Sequence, residues 1–432
     1  MNSEPSTSSS RHTRRRSTRR STRTAGAPSA HSPTGARGAA DASAHPLVRS
    51  PRDGTPPLTT TIQSLLAWCE KVTPGEALAV DVERASSYRY SARAYLIQVK
   101  SESAGILLLD PLALRLPATF TTLMTESIWV LHAARQDLPS LAMADLRPAA
   151  LFDTEVAARL LGMPRVGLSA VVEDVVGVRL AKEHSAADWS TRPLPTAWLD
   201  YAALDVEFLA PVRAELEQRL RDAGKWEWAK QEFAHEMCFS FPEVPEEPWR
   251  GLSGIGTLRS PKQLAIARAL WEKRDAIARS ADIAPFMVMR DKVLVGMARA
   301  GLRSRAEFVA AAPTGMRNVD MWWKEARSAR SLPAAHLPDA ADRAPFPPHK
   351  VWAKRHPELH ERYQAVRERM LQRAEELSMP VENLMSPGHV RHWLWLHESA
   401  TDEQAAQEQL VELGARPWQA QQVAPLLVET LS

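Results

Sequence analysis

The sequence has 432 residues, of which 44% are hydrophobic and 24% charged, with a formal net charge of +3. No run of eighteen apolar residues occurs, so no membrane-spanning helix is expected. Cys69 and Cys238 alone cannot build a disulfide framework or a thiolate zinc site, and they fit a reducing cytoplasm.

The length suggests about two to four domains. Residues 1–53 hold ten arginines against Glu4, Asp41 and Asp53, a net of +7, which leaves −4 for the remainder. Residues 1–55 are rich in Ser, Thr, Pro, Gly and Arg. With so little to bury they read as a disordered basic tail. Arg14–Arg16 with Arg19 and Arg20 suits either a non-specific arm for phosphates or a solubilising segment.

Helical spacing then appears over Thr60–Lys71, at Ile62, Leu65, Leu66 and Trp68. Strands are expected over Leu78–Glu83, Ala94–Lys100 and Gly105–Asp110, close enough to form a meander. A helix around Phe120–Thr125 leads to a fourth strand over Trp129–Ala133, and a short strand at Ala150–Phe152 follows. Mainly helical spacing continues to about Arg221. Strands first, then strands alternating with helices, predict a mixed sheet covered by helices, within a domain of residues 56–235.

Residues 236–254 carry Pro242, Pro245, Pro248 and Gly251 and read as a linker. An all-α module follows over 255–330, with Leu264, Ala267, Leu270 and Trp271 on one face. A second linker, 331–348, holds five prolines. A second helical module over 349–432 has Leu394, Leu410, Leu413, Trp418, Val423 and Leu426 as candidate core. On this plan, truncation near Pro242 leaves a folded first domain.

Three acidic patterns carry the chemistry. Asp81 and Glu83 lie two apart at a strand end, so they project to one face. Asp137 follows the fourth strand; alone it reads best as a helix N-cap before Pro139. Tyr201 and Asp205 lie four apart on a helix and can reach one point. Asp153 and Glu155 repeat the first spacing, but Asp153 opens a helical run and is explained as its N-cap. Other motifs are weaker. His356 and His360 share helical spacing, but Pro357 and the misplaced Glu358 spoil a zinc motif. Trp189 and Arg192 read better as packing residues than as nucleotide contacts, and Arg290 and Lys292 as a solvated charged turn. Gly251, Gly254 and Gly256 lack the Lys-Ser/Thr of a P-loop.

Taken in order, Asp81-x-Glu83, His132-x4-Asp137 and Tyr201-x3-Asp205 resemble the exonuclease motifs of the DEDD superfamily, tyrosine subtype. The surrounding stretches Ala94–Gln98, Ala157–Gly162, Asp188–Leu194 and Tyr201–Val206 resemble the ribonuclease D family over about residues 60–225. Both helical modules are similar to helicase-and-RNase-D C-terminal (HRDC) domains. Ser86–Tyr90 stands where the family has a Thr-Tyr segment, a departure that leaves the carboxylates intact.

The resemblance implies a ribonuclease H-like exonuclease fold followed by two HRDC-type domains. It implies a metal-dependent 3′→5′ exoribonuclease that trims structured RNA such as tRNA precursors and releases 5′ nucleotides. Asp81, Glu83, Asp137 and Asp205 would hold two ions, Mg²⁺ or Mn²⁺, and Tyr201 would orient water. The all-carboxylate set fits two hard cations on chemical grounds as well. RNA rather than DNA rests on the resemblance. A DNA exonuclease and a non-catalytic nucleic-acid scaffold are the alternatives.

Overall fold

Apolar runs bounded by turns build the sheet. In chain order the strands of the protein are β1 (Leu47–Val48), β2 (Leu58–Thr59), β3 (Leu78–Arg84), β4 (Ala94–Ser101), β5 (Gly105–Leu109), β6 (Ile128–Leu131), β7 (Ala150–Asp153) and β8 (Arg179–Leu180), of which β1 and β8 form a separate two-stranded sheet. The computed structural model describes residues 45–181, 186–240, 245–300, 303–339, 346–397 and 402–431. One mixed sheet has the order β2-β5-β4-β3-β6-β7. The expected meander is there: β3, β4 and β5 are antiparallel neighbours, whereas β6 and β7 join in parallel.

Helices α1 (Ile62–Cys69), α2 (Ala118–Glu126), α3 (Leu138–Ala142), α4 (Thr154–Leu160), α5 (Leu168–Val176), α6 (Thr196–Glu207), α7 (Leu209–Asp222) and α8 (Trp226–Met237) cover the sheet. Val80, Val82, Ile97, Val99 and Val130 belong to one hydrophobic core with buried residues of α1, α2, α4, α5, α7 and α8. Leu96 and Leu108 belong to a separate core, with Trp189, Ala202 and Ala203. Asp81 lies opposite Gln98 on β4, and Glu83 opposite Leu96. Cross-strand partners share a face. Both carboxylates therefore point to the face that α6 covers.

The first helical module consists of α9 (Pro261–Ala281), α10 (Pro285–Val288), α11 (Asp291–Ala300), α12 (Arg305–Ala311) and α13 (Val319–Arg330). A Ser260/Gln263 capping box starts α9, with Pro261 in its first turn. Trp249, Leu264, Leu270, Leu294, Phe308 and Trp322 form its own core. It docks on the loop after β3. Tyr90 donates to Asp275 at 2.8 Å, and Ala284 N–H donates to the Tyr88 carbonyl at 3.1 Å.

The last helices are α14 (Trp352–Arg355), α15 (Pro357–Glu376), α16 (Val381–Leu384), α17 (Pro387–Leu396), α18 (Glu403–Glu412) and α19 (Pro417–Leu431). Here the structure corrects the expectation of an independent module. Trp352, Trp393 and Trp418 belong to the same hydrophobic core as the sheet and α8. Trp418 stacks on Trp228 at 4.8 Å and donates to Glu232 at 2.8 Å. Lys225 donates to the Leu160 and Leu377 carbonyls, pinning the two parts together. Gly162 has φ +68°, and a Cβ there would meet the Ser378 carbonyl oxygen at 2.1 Å. Prolines mark a break in helical periodicity, not a break in packing. Truncation near Pro242 would therefore strip the cover from α8 and leave an apolar face in water.

The first expected boundary also moves. β1 pairs in parallel with β8, Leu47 opposite Arg179 and Val48 opposite Leu180, and Pro51 is buried. Residues 45–55 belong to the folded body, against the expectation of a tail reaching residue 55. Their partner strand lies far along the chain, where no local pattern points to it. Arg14–Arg16, Arg19 and Arg20 lie outside the described residues.

Candidate active site

The site sits where β3 ends. β3 carries Asp81 and Glu83, and α6 crosses that face with Tyr201 and Asp205 one turn apart. Asp81, Glu83 and Asp205 each offer a carboxylate oxygen within 4.8 Å of the other two. The Tyr201 hydroxyl donates to Asp205. The spacing four apart on α6 thus acts as expected, with both groups on one point.

Asp137 stands at the N-cap position of α3, but its side chain caps nothing. Its carboxylate is 3.1 Å from the Arg84 guanidinium and is 5% exposed as a residue. Asp81 and Asp205 act on it electrostatically, so it belongs to the same cluster. The decoy resolves the other way. Asp153 accepts from the backbone N–H groups of Ala133, Ala134, Glu155 and Val156 at 2.7–3.2 Å. Glu155 pairs with Arg159 at 2.7 Å. Asp153 is a helix cap and a cross-link to the β6–α3 connection, and it lies outside the Asp81, Glu83 and Asp205 group.

Electrostatics sharpen the distinction. Burial pushes Glu83 from 4.5 up to about 10, with repulsion from Asp81, Asp205 and Asp137 added and Arg84 opposing. Burial raises Asp81 from 3.8 to about 6. Asp137 and Asp205 stand well above the ordinary carboxylate range, through burial first and Asp81 second. Burial and the same carboxylates raise Tyr201, so its hydroxyl keeps its proton. Added positive charge favours the ionised form of carboxylates held this way. All donors are oxygen, which fits a hard divalent cation.

The weaker motifs fall to packing. Trp189 is fully buried, and Arg192 makes two bonds to Asp110 at 2.7 and 2.9 Å. His360 lies against the His349 ring, with centroids 5.4 Å apart. Two residues of the site escape the motif spacing. Arg84 closes the opening acidic stretch, and its basic side chain next to two carboxylates was the available signal. Gln98 is fully buried opposite Asp81, and its side-chain amide has no hydrogen-bond partner among the described residues. A polar residue in the apolar run of β4 was its signal.

The chain is similar to known proteins. A family model described as 3'-5' exonuclease matches residues 58–221, and one described as HRDC domain matches 263–321. Ribonuclease D of Pseudomonas paraeruginosa is 31% identical over 294 residues, covering 66% of this chain and 77% of that protein. The chain belongs to the ribonuclease D family. Family membership extends to the C-terminal helices, but not as a second HRDC match. Residues 345–431 match a model described as 3' to 5' exonuclease C-terminal domain. Ribonuclease D of Cronobacter turicensis is 35% identical over 248 residues, 56% of this chain and 66% of that protein. The match thus spans just under two thirds of that relative's length. The crystal structure of Escherichia coli RNase D, described as an exoribonuclease involved in structured RNA processing, superimposes with a TM-score of 0.70. That comparison has 25% identity and covers 87% of this chain and 98% of that one.

Proposed function

We propose that this ribonuclease D family member is a 3′→5′ exoribonuclease that removes 5′ nucleotides one at a time from structured RNA such as tRNA precursors. The observation that carries the reading is the convergence of Asp81, Glu83 and Asp205 within 4.8 Å, with Tyr201 bonded to Asp205. Asp137 completes the set. Mg²⁺ or Mn²⁺ fits these donors better than zinc, which favours nitrogen and sulfur. A bound pair of such ions supplies an activated water and charge stabilisation at the leaving oxygen.

The chain's own groups do the rest. Asp81, Glu83, Asp137 and Asp205 would hold the cation, whose charge favours their ionised forms. Tyr201 stays protonated, and its hydroxyl, held by Asp205, orients the attacking water. No side chain is required as a covalent nucleophile. The HRDC module contributes RNA contacts through its exposed edge, where Phe286, Met287 and Arg290 lie open beside the segment docked on Tyr88. The same proposal places the enzyme in the cytoplasm and gives Arg14–Arg16, Arg19 and Arg20 non-specific phosphate contacts, so that deleting residues 1–44 flattens the salt dependence of RNA binding.

The test is matched 3′-tailed RNA and DNA incubated with the full chain. EDTA abolishes release of 5′ nucleotides, and Mg²⁺ or Mn²⁺ restores it, with RNA preferred. Full activity in excess chelator, or preference for DNA, overturns the reading.

A further inference from the structure

Among the described residues, Arg84 is the cation that acts on Asp81, Glu83 and Asp137. The β3–β4 register shifts between Glu83 and Arg84, where Tyr95 of β4 is the extra residue of a bulge. Bulges re-aim side chains, and Arg84 reaches across to the β6–α3 connection. It bonds the Gln136 carbonyl and lies 3.1 Å from Asp137. Its side chain keeps 29% exposure, against 7% for Asp137. On its open side is a cavity of about 300 Å³ lined by Glu83, Arg84, Ser86, Ser87, Ala186 and Ala187. Arg84 thus stands between a buried carboxylate and an open space next to Glu83.

Charge balance gives this position a purpose. Four ionised carboxylates neutralise two divalent ions, which leaves the arginine's charge unmatched once Asp137 turns to an ion. A phosphodiester carries one negative charge. A guanidinium offers it two parallel donors.

We propose that Arg84 is a substrate-binding residue with two resting places. Without ions it occupies Asp137. With ions it is displaced into the cavity and meets the non-bridging oxygens of the terminal phosphodiester. The inference rests on the metal-site reading above, and it goes beyond it by giving one residue opposite effects on ion and RNA. Arg84 competes with the cation for Asp137, yet it favours RNA.

Calorimetric Mn²⁺ titration of the full chain without RNA is the first arm. Arg84→Gln binds Mn²⁺ several-fold more tightly than the wild type. The second arm is anisotropy of a 5′-labelled single-stranded RNA in Ca²⁺, beside single-turnover rates in Mn²⁺. Arg84→Gln binds RNA about ten- to a hundred-fold more weakly, the scale of one charge-assisted contact. Its salt slope also falls by about one phosphate contact. Arg84→Lys keeps the charge without the fork, so its Mn²⁺ affinity stays near wild type and its RNA affinity falls between the two. A purely structural role weakens both ligands together and moves them in one direction. Unchanged or weaker Mn²⁺ binding by Arg84→Gln, unchanged RNA binding, or Arg84→Lys behaving as Arg84→Gln overturns the proposal. If the wild type itself binds no Mn²⁺, the metal-site reading falls and takes this inference with it.

Discussion

Asp137 holds the N-cap position of α3 yet gives its carboxylate to Arg84, 3.1 Å away. A capping aspartate donates nothing to a site, because its lone pairs are spent on backbone N–H groups. Asp153 shows that contrast within the same domain, with four such bonds. The two residues are therefore expected to separate by experiment. Asp137→Asn abolishes RNA trimming and leaves the fold intact. Asp153→Asn lowers stability by about 1–3 kcal/mol, the cost of leaving buried donors unsatisfied, while residual trimming persists in the folded fraction. Urea unfolding beside trimming rates checks both. Loss of stability in Asp137→Asn with activity retained would return it to the role of a cap.

Tyr201 and Asp205 share one point but not one role. Asp205→Asn removes charge from the cluster, so Mn²⁺ binding and activity fall together. Tyr201→Phe keeps the ring, which lies 6.5 Å from the Trp189 ring. It loses about ten- to a thousand-fold in kcat, the scale of one well-placed polar group, while calorimetric Mn²⁺ binding survives. Equal loss of metal in both variants would make the tyrosine a structural residue or a ligand.

Stability should depend on pH in the sense set by the cluster. Burial holds Glu83 at about 10 in the folded chain, against an ordinary 4.5. The folded state keeps a proton that the unfolded chain releases, so this group's contribution is full below about 4.5 and is lost as pH rises toward about 10. In EDTA at pH 8, Glu83→Gln therefore melts at a higher temperature than the wild type, and the gap closes as pH falls toward 5. Mn²⁺ reverses the order, because it binds the folded wild type in preference. Thermal melts at several pH values, with and without Mn²⁺, decide the matter. A Glu83→Gln variant that is less stable in EDTA at pH 8 contradicts the sign.

Trp418 joins the C-terminal helices to the exonuclease domain through Trp228 and Glu232. Trp418→Ala leaves a cavity and a buried Glu232 short of a donor, and should cost about 3–5 kcal/mol. Truncation near Pro242 should give an aggregating or poorly folded product. By contrast, Tyr90→Phe removes the hydroxyl that bonds Asp275 and Arg279 on the docked HRDC helix. It should leave global stability within about 1 kcal/mol and speed amide exchange in residues 85–93. A soluble, cooperatively folding truncation product would show that the shared core is dispensable.

How much of this lay in the sequence depends on range. The strand-helix order, the three acidic patterns and the helical modules are local properties. Period-2 and period-3.6 spacing fix which residues share a face, so Asp81 with Glu83 and Tyr201 with Asp205 could be paired from spacing alone. Even the role of Asp153 follows from a local cap. Distance in the chain hid the rest. Whether Asp137 caps α3 or faces the cluster depends on Arg84, 53 positions earlier. Whether residues 349–432 form a module or a cover depends on Trp228 meeting Trp418. Whether Leu47 and Val48 fold depends on Arg179 and Leu180. Apolar burial and charge pairing are indifferent to sequence separation. Composition can require that Trp418 be buried and Asp137 be paired, but only the assembled sheet and helices choose the partners.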